Sequence, residues 1–117
     1  MSVKSKTEQN GKIAIIEVRG SLVGDSDTDQ FRSAVQDFLE QGNKCLVINL
    51  GKVNYMNSSG IGAIIAAYTS YKKVNGEIKL AGISNNVQNL LVVTKLIDIF
   101  DVHDTVDQAI QDFAKMK

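Results

Sequence analysis

Asn57-Ser58-Ser59-Gly60-Ile61-Gly62 is the stretch of this 117-residue chain whose residue types and order could do chemistry. It follows a hydrophobic run and precedes apolar residues at helical spacing, so it falls where a strand gives way to a helix. An asparagine or serine at that junction accepts hydrogen bonds from backbone amides that lack an intrahelical partner, which makes Asn57 or Ser58 an N-cap. A serine hydroxyl there also suits phosphorylation. The phosphate adds a charge of about −1.5 to −2 at the positive end of the helix dipole, and the domain need not refold to hold it. Capping together with close packing at the glycines is a sufficient account of the same residues on spacing alone.

Three other chemistries share these residues, and each lacks a part. A dinucleotide fingerprint opening at Gly60-Ile61-Gly62 needs a third glycine where Ile65 stands. A phosphate-binding loop needs a lysine after its last glycine, and Ala63 follows Gly62. Ser58 or Ser59 as a nucleophile needs a base, and the one histidine, His103, lies in another segment; before the last helix it reads as a solvated or capping loop residue. Asp25, Asp27 and Asp29 mimic the start of a calcium loop, but its sixth and twelfth positions are Gln30 and Gln36, so these acids read as residues of a helix N-terminus.

Composition narrows the field further. Thirteen Lys plus Arg balance thirteen Asp plus Glu, which gives no general basic field for nucleic acid. One cysteine, Cys45, closes no intrachain disulfide, and one histidine builds no multi-His cage, so neither a metal nor another cofactor is expected. Cys45 reads as a small buried hydrophobe. The polar N-terminus and the lack of a long apolar run point to a cytoplasmic protein without direct membrane insertion. The length suits one domain over residues 1–117.

The elements that must position Ser58 are legible in the hydrophobic pattern. Lys12 to Arg19 reads as a strand, paired with Val3 to Thr7 through an Asn10-Gly11 turn; Lys4 and Lys6 suit an edge. Phe31, Ala34, Val35, Phe38 and Leu39 share a helix face. Cys45 to Leu50 is a run fit for a strand covered on both faces. Ile61, Ile64, Ile65, Tyr68, Tyr71 and Val74 mark a helix stopped by Asn75-Gly76. Glu77 to Ile83 forms a strand, and Ser84 caps a helix containing Val87, Leu90 and Leu91. Ile97 to Phe100 reads as a short strand or turn, and Asp104 or Thr105 opens a last helix with Val106, Ala109, Ile110 and Phe113 inward. The alternation implies an α/β fold: a mixed, mostly parallel β-sheet with about four helices and right-handed crossovers.

The six residues from Asn57 to Gly62, set between that strand and that helix, resemble the D-S-S-G-[LI]-G signature of STAS domains, specifically bacterial anti-sigma factor antagonists. The likeness extends along almost the whole chain: a strand pair, Gly20 ending the second strand, Leu46 to Leu50, Gly76 before a strand, and Ile83-Ser84 leading to a helix. It implies that Ser58 is the phosphoacceptor, with Ser59 the alternative. It also implies partners: an anti-sigma factor serine kinase that carries ATP and magnesium and is bound by the unmodified protein, which frees a sigma factor, and a serine phosphatase that reverses the modification. Docking would use Ser21, Gly24, Asp25, Asn57, Ser58, Ser59, Gly60 and Ile61. The chain itself would not be an enzyme.

Two positions depart from that family pattern. Asn57 replaces the signature's aspartate, keeping a capping oxygen but removing a charge beside the acceptor, and Ser21-Leu22-Val23 replaces residues that are often acidic. Asn57 therefore admits the alternative of a STAS scaffold or subunit of a stress-signalling or transport-associated complex that works without a phosphate cycle.

Overall fold

Successive apolar residues of the inner strands point to opposite sides, so both faces of one sheet are apolar and need cover. The computed structural model describes residues 2–22 and 24–115, apart from the side chains of Ser2, Leu22 and residues 24–27. β1 (Ser2–Glu8) and β2 (Ile13–Leu22) are antiparallel, joined by a turn in which Gln9, Asn10 and Gly11 all have positive φ. β3 (Cys45–Met56), β4 (Glu77–Ala81) and β5 (Asp101–His103) follow in parallel, and the spatial order β1-β2-β3-β4-β5 repeats the chain order.

That order dictates where the helices go. Each crossover advances the sheet in the same direction, so crossovers of one hand set α1 (Gly24–Glu40), α2 (Ser58–Lys73) and α3 (Asn85–Val93) on one face. Ala14, Ile16 and Val18 of β2 and Leu46, Ile48 and Leu50 of β3 meet Phe31, Ile64, Tyr71 and Leu91 there, all buried. α4 (Val106–Ala114) comes after the last strand and turns back over the opposite face, where Ala109 and Phe113 cover Ile13, Ile15, Val47 and Ala81. Thr105 caps α4 by accepting from the Gln108 amide, and Ser84 caps α3 by accepting from the Val87 amide.

β2 and β3 are longer than the hydrophobic runs that announce them, whereas β4 ends at Ala81, short of Ile83. β2 continues through Gly20, at φ 89°, to Leu22, with register shifts on either side of Arg19-Gly20, so Gly20 bends the strand rather than ending it. β3 runs on to Met56, where Val53 and Met56 face inward between exposed residues. The apolar segment Ile97 to Phe100 is not a strand: Leu96–Asp98 is a 3₁₀ turn and β5 begins at Asp101. His103 thus lies on β5, mostly covered, and not in a loop. Cys45, at the first position of β3, is only partly buried, and burial followed by the Glu77 charge pushes its thiol pKa up.

Candidate functional site

β3 outruns β4 by residues 50–56 and delivers Asn57 beyond the carboxyl edge of the sheet. Asn57 takes an extended conformation (φ −111°, ψ −169°), and its Oδ1 accepts from the Ser59 amide at 3.0 Å and the Gly60 amide at 3.2 Å. Its backbone carbonyl accepts from the Ile61 amide at 3.0 Å, which closes the first helical turn. Of the two candidate caps, Asn57 is therefore the cap, and Ser58 is the first residue of α2. Ser58 and Ser59 are exposed, Asn57 and Ile61 half-buried, and Gly60 buried. Among the described residues, the Ser58 hydroxyl has no hydrogen-bond partner.

Ser58 lines a groove of about 660 Å³ between the end of β3, the start of α2 and α3. Tyr55, Met56, Ile61, Val87 and Leu90 form its apolar wall, and Asn57, Asn86 and Thr94 are its other polar residues, so among the described residues no charged side chain lines it. The first turn of α2 contains no acidic residue. Tyr55 is 58% exposed, which puts a large aromatic face beside Ser58 in solvent. Gly62, one turn into α2, is free of packing demands: a Cβ added there would meet nothing within 4 Å.

The other expected docking residues converge unevenly. Ser21, half-buried, stands opposite Tyr55 in the β2–β3 register, which brings the end of β2 beside the groove. Gly24 and Asp25 open α1, but their side-chain surroundings lie outside the described residues, as does Val23 between them and β2.

A second polar cluster sits on the opposite face, under α4. Lys79 of β4 is 2% exposed, and its ammonium is held by Asp101 of β5 and Asp112 of α4 and lies over the Phe113 ring. His103 Nε2 is 3.2 Å from Asp101 Oδ2 and 3.6 Å from Asp112 Oδ2. Burial pushes the Lys79 pKa down, but hydrogen bonds and charge from the two aspartates outweigh it and leave the net shift upward. Burial likewise pushes Asp101 up, and Lys79 and His103 outweigh it, leaving its pKa below the ordinary carboxylate value. Sequence reasoning missed this cluster, because the only signal was a charged residue at an inward position of Glu77-Ile78-Lys79-Leu80. The chain's one histidine is thereby engaged with two carboxylates across the sheet from Ser58.

Comparison with known proteins places these observations in a family. Residues 4–109 match the model of the STAS domain. The anti-sigma-B factor antagonist of Bacillus subtilis is 27% identical over 95% of this chain and 100% of its own length. Among solved structures, the anti-sigma factor antagonist SpoIIAA in its unphosphorylated form superposes with a TM-score of 0.84 at 18% identity, covering 99% of both chains. The Bacillus cell fate determinant SpoIIAA in its phosphorylated form gives 0.78 at 18% identity, over 96% of this chain and 99% of that one. No described helix is long and apolar enough to cross a membrane. The five-stranded mixed sheet, the serine pair at the head of α2 and the match over residues 4–109 have one common account: the chain belongs to the STAS domain family, and its curated relatives include anti-sigma factor antagonists.

Proposed function

We propose that this protein is an anti-sigma factor antagonist of the partner-switching type, acting in the cytoplasm as one domain over residues 1–117. Unmodified, it docks an anti-sigma factor serine kinase through Ser21, the start of α1 and Asn57 to Ile61, and the kinase releases its sigma factor. The kinase then transfers the γ-phosphoryl group of its magnesium-bound ATP to Ser58. The Ser58 Oγ–P bond forms, the bond to ADP breaks, and the hydroxyl proton passes to a base on the kinase. A serine phosphatase hydrolyses the ester and restores the docking surface. The chain contributes a surface and an acceptor, not a catalyst.

One observation carries the proposal: at the first residue of a capped helix, the Ser58 hydroxyl is exposed, has no hydrogen-bond partner among the described residues, and lies in a groove whose described lining carries no charge. A dianion introduced there converts a neutral contact surface to a charged one, and burying it without a matched partner costs several kcal/mol, on the order of 2–7. Since about 1.4 kcal/mol is a tenfold loss of affinity, one phosphate is enough to release the complex. Gly62 adds support. Glycine costs a helix about 1 kcal/mol relative to alanine, and no internal contact requires it. Close approach of a partner supplies a reason for its presence.

The test is incubation with an anti-sigma factor serine kinase, magnesium and ATP. Intact mass should rise by one phosphoryl group, mapped to Ser58, and Ser58→Ala should remain unmodified while still binding the kinase. Phosphate mapped elsewhere, with Ser58→Ala switched normally, overturns the assignment.

A further inference from the structure

We infer that Asn57 is a positioning residue for the phosphorylated state, its side-chain NH2 donating to a phosphate carried by Ser58 and so setting the charge of that phosphate. The inference rests on Ser58 as the modified residue and goes beyond it to what distinguishes this chain's switch.

The orientation of the Asn57 amide is decided by its partners. The atom that bonds the Ser59 and Gly60 amides, at 3.0 and 3.2 Å, must be the oxygen, because both partners are donors. Nδ2 is consequently the other end, bonded to the same carbon and held beside the first turn of α2. It has no partner among the described residues. A phosphate on Ser58, the adjacent residue, is the anion this NH2 would meet, with two N–H donors against three acceptor oxygens. Among the described residues, no charged side chain from β3, α2 or α3 lines the groove, so a change of charge at residue 57 acts on the phosphate from the adjacent position.

Aspartate at this position would cap the helix equally well, since capping uses only an oxygen. It would, however, put an anion where Asn57 offers a donor. The asparagine therefore favours the fully ionised phosphate, the species with the greatest power to break a neutral interface.

The test installs phosphoserine at position 58 biosynthetically and follows its second ionisation by 31P NMR in three backgrounds: wild type, Asn57→Asp and Asn57→Ser. Asn57→Asp should raise that ionisation by roughly half a pKa unit, the size of one unit charge acting across about 6 Å of water-like dielectric. Asn57→Ser keeps a capping oxygen but removes the NH2, and should raise it by a smaller amount. Unfolding midpoints of the three unphosphorylated proteins should agree closely, which separates charge from capping. An ionisation in Asn57→Ser equal to that of wild type overturns the inference, whatever the added charge of Asn57→Asp does. Because the phosphate is installed without a kinase, a failure of enzymatic modification would sink the proposed function and leave this titration interpretable.

Discussion

Lys79 Nζ lies 2.7 Å from Asp112 Oδ2, so an ammonium buried in the middle of β4 is held by a carboxylate on the C-terminal helix. Asp101 of β5 takes the same ammonium, and the pair ties α4 and the short edge strand to the sheet at one point. Removing one carboxylate leaves a buried cation partly unpaired. Asp112→Asn should destabilise the chain by about 1–2 kcal/mol, below the 3–5 kcal/mol of a fully buried pair because both carboxylates reach solvent. Lys79→Met, which keeps the stem and deletes the charge, should stay within about 1 kcal/mol of wild type. Urea unfolding of both variants checks the ordering.

The same cluster fixes a pH window. Asp101 has a folded pKa below its ordinary 3.8, so its contribution is present above that value and is lost as pH falls through the lower folded pKa. Lys79 has a folded pKa above 10.5, so its contribution is present below that value and is lost as pH rises through the higher one. Stability from the Asp101–Lys79 pair itself should be present from roughly pH 5 to 10 and fall away on both sides. Urea midpoints across pH should show a gap between wild type and Asp101→Asn that narrows below about pH 4.

Much of this architecture is legible in the chain, and the exceptions have a common cause. Phe31, Val35 and Phe38 announce α1, Ile61, Ile64 and Tyr71 announce α2, and Asn57-Ser58 announces its start, because each signal is local and periodic. β5 is not announced. As an edge strand it pairs on one side only, and its Asp101 and His103 face a charged partner rather than an apolar core. Its neighbours Ile97 and Phe100 carry the apolar signal, and they belong to a turn region in which Phe100 packs edge-on to Tyr68 of α2. The role of Lys79 is equally hidden, because its counter-ions are supplied 22 and 33 positions further along. At the site, Asn57 to Ile61 is local and legible, whereas Tyr55 and the α3 wall of the groove depend on β3 running past β4.

Tyr71 offers a check on how α2 is held at its far end. Its hydroxyl, fully buried, donates to Asn43 Oδ1 at 2.7 Å, and Asn43 Nδ2 donates to the Lys12 carbonyl at 3.1 Å, which links α2 to two turns. Tyr71→Phe deletes the donor and strands the Asn43 oxygen in a dry site. It should cost about 1–2 kcal/mol, read as a lowered urea midpoint with the slope unchanged.

Gly62 separates stability from docking. With open space around the added Cβ, Gly62→Ala should stabilise α2 by about 0.5–1 kcal/mol through helix propensity. Under the proposed function the same methyl group intrudes on the kinase and weakens the complex. A higher melting temperature combined with unchanged kinase affinity would remove Gly62 from the docking surface.

Ser58 variants grade the switch by charge. Ser58→Ala leaves the groove neutral and keeps Asn57 Oδ1 on its two amides, so kinase affinity should match wild type. Ser58→Asp introduces one negative charge of a phosphate's two and should weaken binding at least about tenfold, an increment of about 1.4 kcal/mol. Phosphoserine at the same position should weaken it further, because a second charge must be desolvated against the same apolar wall of Tyr55, Ile61 and Leu90. Calorimetric titration of each form into the kinase with bound nucleotide gives the order directly. If Ser58→Asp and phosphoserine bind as tightly as Ser58→Ala, charge at this groove does not control docking.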